Sequence, residues 1–293
     1  MTKSWWIDKT LEGILLLCVS VTVLTTLCVV GILGKESLAF FSSVPISDFL
    51  FGTRWEPLLE PKSFGVLPLV CGTFLIAVGA MVIALPAGLI IATYLNEFAS
   101  SELRSVIKPV LEILAGIPTI VYGYFALTFI TPLLKTVFPD MQVFNAASGA
   151  IVVGIMILPM ISSLSDDAFK AIPSTLRDGA YALGATPYEV ITQIILPAAK
   201  SRVAASVVLA ISRAIGETMA VTLAAGATPK MTLNPLESIQ TMTAYIVQVS
   251  LGDTPAGGIE YQTCFAVAGL LFVMTFAMNL VGNHFIVKGR FQA

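Results

Sequence analysis

Six long apolar runs divide this chain, at about 11–33, 66–94, 110–134, 146–164, 203–227 and 264–287. A helix needs about 20 apolar residues to cross the hydrocarbon core of a bilayer. Within that core each backbone polar group must find its partner inside protein, which favours helices. The runs therefore predict an all-α polytopic membrane protein with six transmembrane helices. Composition points the same way: 56% of residues are hydrophobic and 12% charged, where a soluble domain carries about 25% charged residues. The net charge of −2 says little about partners, and no basic patch suits nucleic acid. The first run has no small-residue cleavage site and reads as a retained span rather than a signal peptide. Cys18, Cys28, Cys71 and Cys264 lie in or beside apolar runs without metal-like spacing and read as packing residues.

Orientation follows from where lysine and arginine fall in the loops. Lys3, Lys9, Arg104, Lys108, Lys170, Arg177, Lys200, Arg202, Lys288 and Arg290 lie on one side. Only Lys35, Arg54, Lys62, Lys135 and Lys230 lie on the other. The richer side is expected to be cytoplasmic, with both termini and the loop at about 165–202 on it. Residues 1–65 are expected to form a first span and outer loop, 66–287 a five-span core, and 288–293 a cytoplasmic tail. The outer segments 34–65, with Phe51-Gly52-Thr53-Arg54-Trp55 and Phe64-Gly65-Val66-Leu67-Pro68, and 228–263 are either interfacial turns or a docking surface for an external partner.

The longest polar interruption facing the cytoplasm, Ile172 to Lys200, has its own punctuation. Pro173-Ser174 suits a helix start, and Gly184 suits a stop or bend. Thr186-Pro187-Tyr188-Glu189 is a capping box with proline at the first helical position. Leu196-Pro197 is expected to end or kink the second helix. The expectation is two short helices joined at Gly184, projecting from the membrane. Asp178-Gly179-Ala180, three residues, Gly184, nine residues and Ile194-x-Leu196-Pro197 resemble the EAA loop of ABC importer permeases. Asp178 stands where that pattern has Glu, and Gly179 where it has the first Ala. The resemblance implies that the loop, with Asp178, Gly179, Ala180, Gly184, Thr186, Pro187, Leu196 and Pro197, couples to a separate ATP-hydrolysing subunit.

Inside the fifth run stand Ser212-Arg213-Ala214-Ile215-Gly216-Glu217-Thr218. An arginine near the bilayer centre costs roughly 2.5–3.5 kcal/mol on insertion scales, so Arg213 must face protein or water. Glu217, four residues on, is expected to share its helix face. The two either pin helices together or present a guanidinium, held by Glu217, to a solute path. Such a planar fork of donors suits an oxyanion, and Gly216 permits close approach. Glu112 is expected at the cytoplasmic interface near a helix N-terminus, and His284 at a span end, packed. Pro118 cannot donate to the Leu114 carbonyl, which then needs another partner at a bend or kink. Stripes of small residues, Ala80, Ala84, Gly88 and Ala146, Ala150, Gly154, predict closely packed helices.

Glu112 to Gly123 (EILAGIPTIVYG), the Arg213–Thr218 run and the FGTRW and FGVLP segments resemble the phosphate importer permeases of the Pst system, the PstC-type subunit more than the PstA-type. That resemblance implies a bacterial inner-membrane permease that moves inorganic phosphate. It implies a PstA-type permease partner, two ATPase subunits that carry ATP and Mg, and an extracytoplasmic phosphate-binding protein. It places Arg213 and Glu217 on the phosphate path, alongside Ser212, Gly216, Thr218 and Glu112. The chain itself needs no cofactor: Gly34-Lys35-Glu36 is no phosphate loop. Alternatives are import of sulfate or molybdate, a non-conducting scaffold, and an intramembrane enzyme. The last lacks a G-x-S-x-G motif and has its single histidine at a span end.

Overall fold

The structure is a computed structural model that describes the backbone of residues 2–252, 254–255 and 257–290, and the side chains of 8–252, 254–255 and 257–282. His284 and the tail from 288 therefore fall outside the described side chains. In chain order the elements are α1 (Thr2–Ser43), α2 (Ile46–Phe51), an antiparallel pair β1 (Trp55–Glu56) and β2 (Ser63–Phe64), and α3 (Leu67–Glu97). Then come α4 (Ser101–Gly116), α5 (Thr119–Lys135), α6 (Ala146–Lys170), α7 (Ser174–Ala182), α8 (Pro187–Gly216), α9 (Met219–Ala225), α10 (Met242–Leu251) and α11 (Ile259–Arg290). Among the described residues, α1, α3, α6, α8 and α11 are each long and apolar enough to cross a membrane, and α4 with α5 forms a sixth span if the bent pair counts as one.

The third apolar run is not a straight helix. It breaks at Ile117-Pro118, both extended in backbone, and α4 and α5 meet at 90°. The carbonyl that Pro118 cannot pair belongs to Leu114; the Ile117 N–H reaches it at 3.4 Å and the Tyr122 hydroxyl donates to it at 2.7 Å. The expected rescue partner is thus a side chain one turn beyond the break. Glu112 lies in the second half of α4, well away from its N-terminus at Ser101, because the helix begins about nine residues earlier than the apolar run.

Helix α8 corrects a second expectation. It does not end at Leu196-Pro197 but continues from Pro187 to Gly216. A π-type turn at Val190–Ile195 precedes the proline. The wider turn relieves the missing N–H and the clash of the Pro197 ring with the preceding turn. The second helix of the knuckle is therefore the first half of the fifth apolar helix.

The small-residue stripes meet each other across α3 and α6. A methyl group added at Gly154 would lie 3.1 Å from the Ala80 carbonyl oxygen, and one at Gly88 would lie 2.7 Å from Ile161. Backbones in membranes approach this closely only where side chains are small. Ala80, Ala84, Ala146 and Ile161 belong to the central core, which also contains Tyr122, Ala214, Ala220 and Ala224.

Toward the outer face a second core gathers Phe40, Phe49, Trp55, Leu69, Tyr245 and Val267. Trp55 stands edge-on to Tyr245 with ring centroids 4.9 Å apart, so the FGTRW segment is anchored by an inward-facing aromatic side chain. Gly52 and Gly65 pass so near each other that an added Cβ at either would meet backbone within 2.5 Å. The outer segments are more structured than a loop reading allowed: α1 continues to Ser43, and α10 occupies the middle of 228–263. Residues before α10 cover the start of α6, with Ala146 N–H donating to Glu237 O and Ala147 N–H to Pro235 O. There the Lys230 ammonium beside Glu237 holds that carboxyl below its ordinary range.

Candidate functional site

Arg213 sits in the last turn of α8, exposed, and no hydrogen bond or ion pair joins it to another described side chain. Gly216, three residues on, ends the helix and is open, with nothing within 4 Å of an added Cβ. The next two residues leave helical geometry. Glu217 is extended (φ −66, ψ 133), and α9 starts at Met219.

This break corrects the expectation that Arg213 and Glu217 share a helix face. The four-residue spacing holds only while the helix continues, and glycine is a weak helix former. Glu217 is instead buried, 8% exposed. One carboxylate oxygen accepts the Ala220 N–H at 3.2 Å, capping one free donor in the first turn of α9. Its carbonyl accepts the Thr243 hydroxyl at 2.7 Å, which ties the break to α10. Thr218 donates through its hydroxyl to Gly216 O at 3.1 Å. Ser212 donates to Val208 O at 2.9 Å and lies 3.1 Å from Asn279 Oδ1, which fixes α8 to α11. So Arg213 is held by its backbone alone, beside a break at which the side chains of Ser212, Glu217 and Thr218 each have a partner. Both breaks in the spans lie immediately before a packed pair: Gly123 of α5 meets Ala220 of α9, where an added Cβ would come within 3.0 Å of backbone.

The turn of the knuckle at Gly184 forms as its punctuation predicts. Gly184 has φ +86, and its N–H donates to Tyr181 O while Ala185 N–H donates to Ala180 O. Those two bonds define a Schellman stop, which favours glycine at the left-handed position. Both halves of the Thr186–Glu189 capping box are made, with Pro187 first in the helix. Ala180 and Val190 turn inward to a third core with Ala168, Phe169 and Ile195. Asp178, Gly179 and Gly184 remain exposed, as do the large side chains of Tyr181, Leu183 and Tyr188. Leu196 and Pro197 lie past the π-type turn, on the shaft of α8 rather than in the knuckle.

Two ionic groups escaped the sequence reading. Asp166, 1% exposed, receives Arg104 and Lys108 at 2.8 Å each and also Lys170. Asn96 adds a longer contact at 3.4 Å. The second is Arg177 on α7, which pairs with Glu97 at the end of α3 at 2.7 Å and donates to Phe169 O at 2.7 Å. The knuckle is thereby fastened to the inner ends of both α3 and α6. Asp166-x-x-x-Lys170 had helical pairing distance, but the apolar run stops at about 164, which hid the fact that the helix carries Asp166 inward.

Residues 84–286 match the family described as binding-protein-dependent transport system inner membrane component. The chain is 35% identical over 251 residues to the probable ABC transporter permease protein YqgH of Bacillus subtilis, covering 86% of this chain and 81% of that one. It is 32% identical to the phosphate transport system permease protein PstC of Mesorhizobium japonicum, covering 82% and 78%. Among solved structures, a bacterial alginate ABC transporter in complex with an alginate pentasaccharide-bound periplasmic protein superposes with a TM-score of 0.67 over 95% of this chain and 96% of that one, at 18% identity. An inward-facing MetNI methionine ABC transporter gives 0.57 over 77% and 94%, at 17% identity. The chain belongs to the binding-protein-dependent transport system inner membrane components, the permeases of ABC importers.

Proposed function

We propose that this chain is the PstC-type permease subunit of an ATP-driven phosphate importer. The observation that carries the reading is the unpaired, exposed guanidinium of Arg213, in a chain 31–33% identical to several permeases named for phosphate transport. An exposed arginine at membrane depth is too costly against lipid. The face that bears it therefore meets water or a second membrane subunit, here a PstA-type permease, and the solute passes between them. A planar cation with several free donors binds a tetrahedral oxyanion. Glu217, Ser212 and Thr218 act by holding the break that aims Arg213. Gly216 leaves room beside it.

Two ATPase subunits, with their ATP and Mg, dock on the exposed side chains of the knuckle. When they close, the push reaches α3 and α6 through Arg177 and its two partners. An extracytoplasmic phosphate-binding protein docks on the opposite side. Both termini then lie in the cytoplasm of a bacterial inner membrane.

The test is purification through a tag on this chain, followed by phosphate uptake into vesicles holding the recovered assembly, with sulfate and molybdate as competitors. Recovery of an ATPase and a phosphate-binding protein, with uptake that sulfate and molybdate leave unchanged, is the expected result. Recovery of no ATPase, or uptake of sulfate in preference to phosphate, would refute the reading.

A further inference from the structure

A cavity of about 190 Å³ lies at the inner ends of α3, α4 and α6, apart from Arg213. At about 30 Å³ for each water in the liquid, it has room for a small inorganic ion. Its polar lining comprises Lys108, Glu112, Ser162, Ser163 and Asp166. Asp166 has no capacity left for a ligand, because Arg104, Lys108 and Lys170 already occupy it. The other lining groups are not used up. Ser162 is fully buried, and its hydroxyl has no hydrogen-bond partner. Other hydroxyls in the spans, such as Thr73 and Ser212, donate to the carbonyl one turn back. Buried polar atoms are seldom left unpaired. Lys108 has three N–H donors, and its one partner there is Asp166 at 2.8 Å. Glu112 is exposed to the cavity and makes no hydrogen bond or ion pair with a described residue.

The charges of Arg104, Lys108, Lys170, Asp166 and Glu112 sum to one positive, which favours an anion. The lining offers several donors and one free carboxylate. A fully deprotonated anion satisfies the donors but sets an oxygen against Glu112, whereas an oxyanion that still carries a proton satisfies both. Phosphate keeps at least one proton at neutral pH; sulfate keeps none. We propose that this cavity is an inner station for hydrogen phosphate, in which Lys108, Ser162 and Ser163 donate to the anion and the Glu112 carboxylate accepts a hydrogen bond from the anion's own O–H. The inference rests on the phosphate reading above and adds a residue that discriminates between oxyanions. A site built to accept a hydrogen bond rejects the analogue that lacks the donor.

The experiment uses the complete transporter in lipid nanodiscs, without ATP or the phosphate-binding protein. Binding of radiolabelled phosphate is measured by equilibrium dialysis, with sulfate as competitor, in an Arg213→Ala background so that the cavity alone is read. Saturable phosphate binding is expected to persist there. Ser162→Ala should weaken it about tenfold, the equivalent of one hydrogen bond. Glu112→Gln should let sulfate compete with phosphate. Absence of saturable binding in the Arg213→Ala complex would overturn the proposal, as would Ser162→Ala and Glu112→Gln variants with unchanged affinity and selectivity. If wild-type vesicles still take up phosphate, only the cavity assignment is lost. If they do not, the functional reading is lost with it.

Discussion

The hydroxyl of Tyr122 donates to the carbonyl of Leu114 at 2.7 Å, reaching back across the break that Pro118 makes between α4 and α5. One side chain thus satisfies the backbone group that the proline leaves without its helical partner. Tyr122→Phe removes that donor and little volume. Leu114 O then keeps only the long Ile117 N–H contact at 3.4 Å; a lost hydrogen bond costs about 0.5–1.5 kcal/mol, so the variant should lower the unfolding temperature of the purified complex. A phenylalanine variant as stable as wild type would mean the bend is held by packing alone.

Glu217 and Arg213, though four residues apart, have separate work. Glu217→Ala removes the cap on α9, a loss of about 0.5–2 kcal/mol, while Glu217→Gln keeps an oxygen to accept the Ala220 N–H. Thermal unfolding should therefore rank wild type near Glu217→Gln and above Glu217→Ala. If Glu217→Gln falls as far as Glu217→Ala, the negative charge matters rather than the cap, and a pairing with Arg213 returns to consideration.

At the knuckle, Gly184 and Gly179 should respond in opposite ways. Gly184 has φ +86, where a side chain costs about 1–2 kcal/mol per residue, so Gly184→Val should distort the stop and lower phosphate-stimulated ATP hydrolysis by the assembled complex. Gly179 lies inside α7 with nothing within 4 Å of an added Cβ. Gly179→Ala should stabilise α7 by about 0.5–1 kcal/mol and keep hydrolysis coupled. Equal loss in both variants would place the effect in surface crowding rather than in backbone conformation.

Asp166 holds three cations at the inner ends of α4 and α6. Removing one partner from a buried ionic group costs about 3–5 kcal/mol. Asp166→Asn should reduce the amount of folded protein recovered from membranes, and the cross-link yield between cysteines placed on α4 and α6 should fall. Unchanged yields would show that the cluster does not fasten α4.

The sequence made some of this legible and concealed the rest, for physical reasons. Gly184, the Thr186–Glu189 box and the alanine and glycine stripes were readable because each acts through its own backbone or through an absent side chain. The coupling of Arg213 to Glu217 was misread because helical spacing says nothing about where a helix stops, and Gly216 stops it. Pro197 does not stop its helix, because a π-type turn upstream absorbs the proline. The Asp166 cluster and the Arg177–Glu97 pair join residues far apart in the chain, and no local periodicity signals them. Tyr122 was named only as part of a motif; its bond to Leu114 follows from the bend angle, which composition does not specify.

The central claim is that Arg213 meets phosphate as a free cation rather than pinning helices. It is tested most directly by phosphate uptake into vesicles containing the complete transporter with Arg213→Ala, with subunit stoichiometry and ATPase content measured on the same preparation. The expected result is loss of uptake by at least a hundredfold, in line with about 3 kcal/mol for a desolvated charge-assisted contact, in a complex that assembles normally. Uptake at the wild-type rate, or a complex that fails to assemble while charge-preserving Arg213→Lys restores assembly but not transport selectivity, would contradict it.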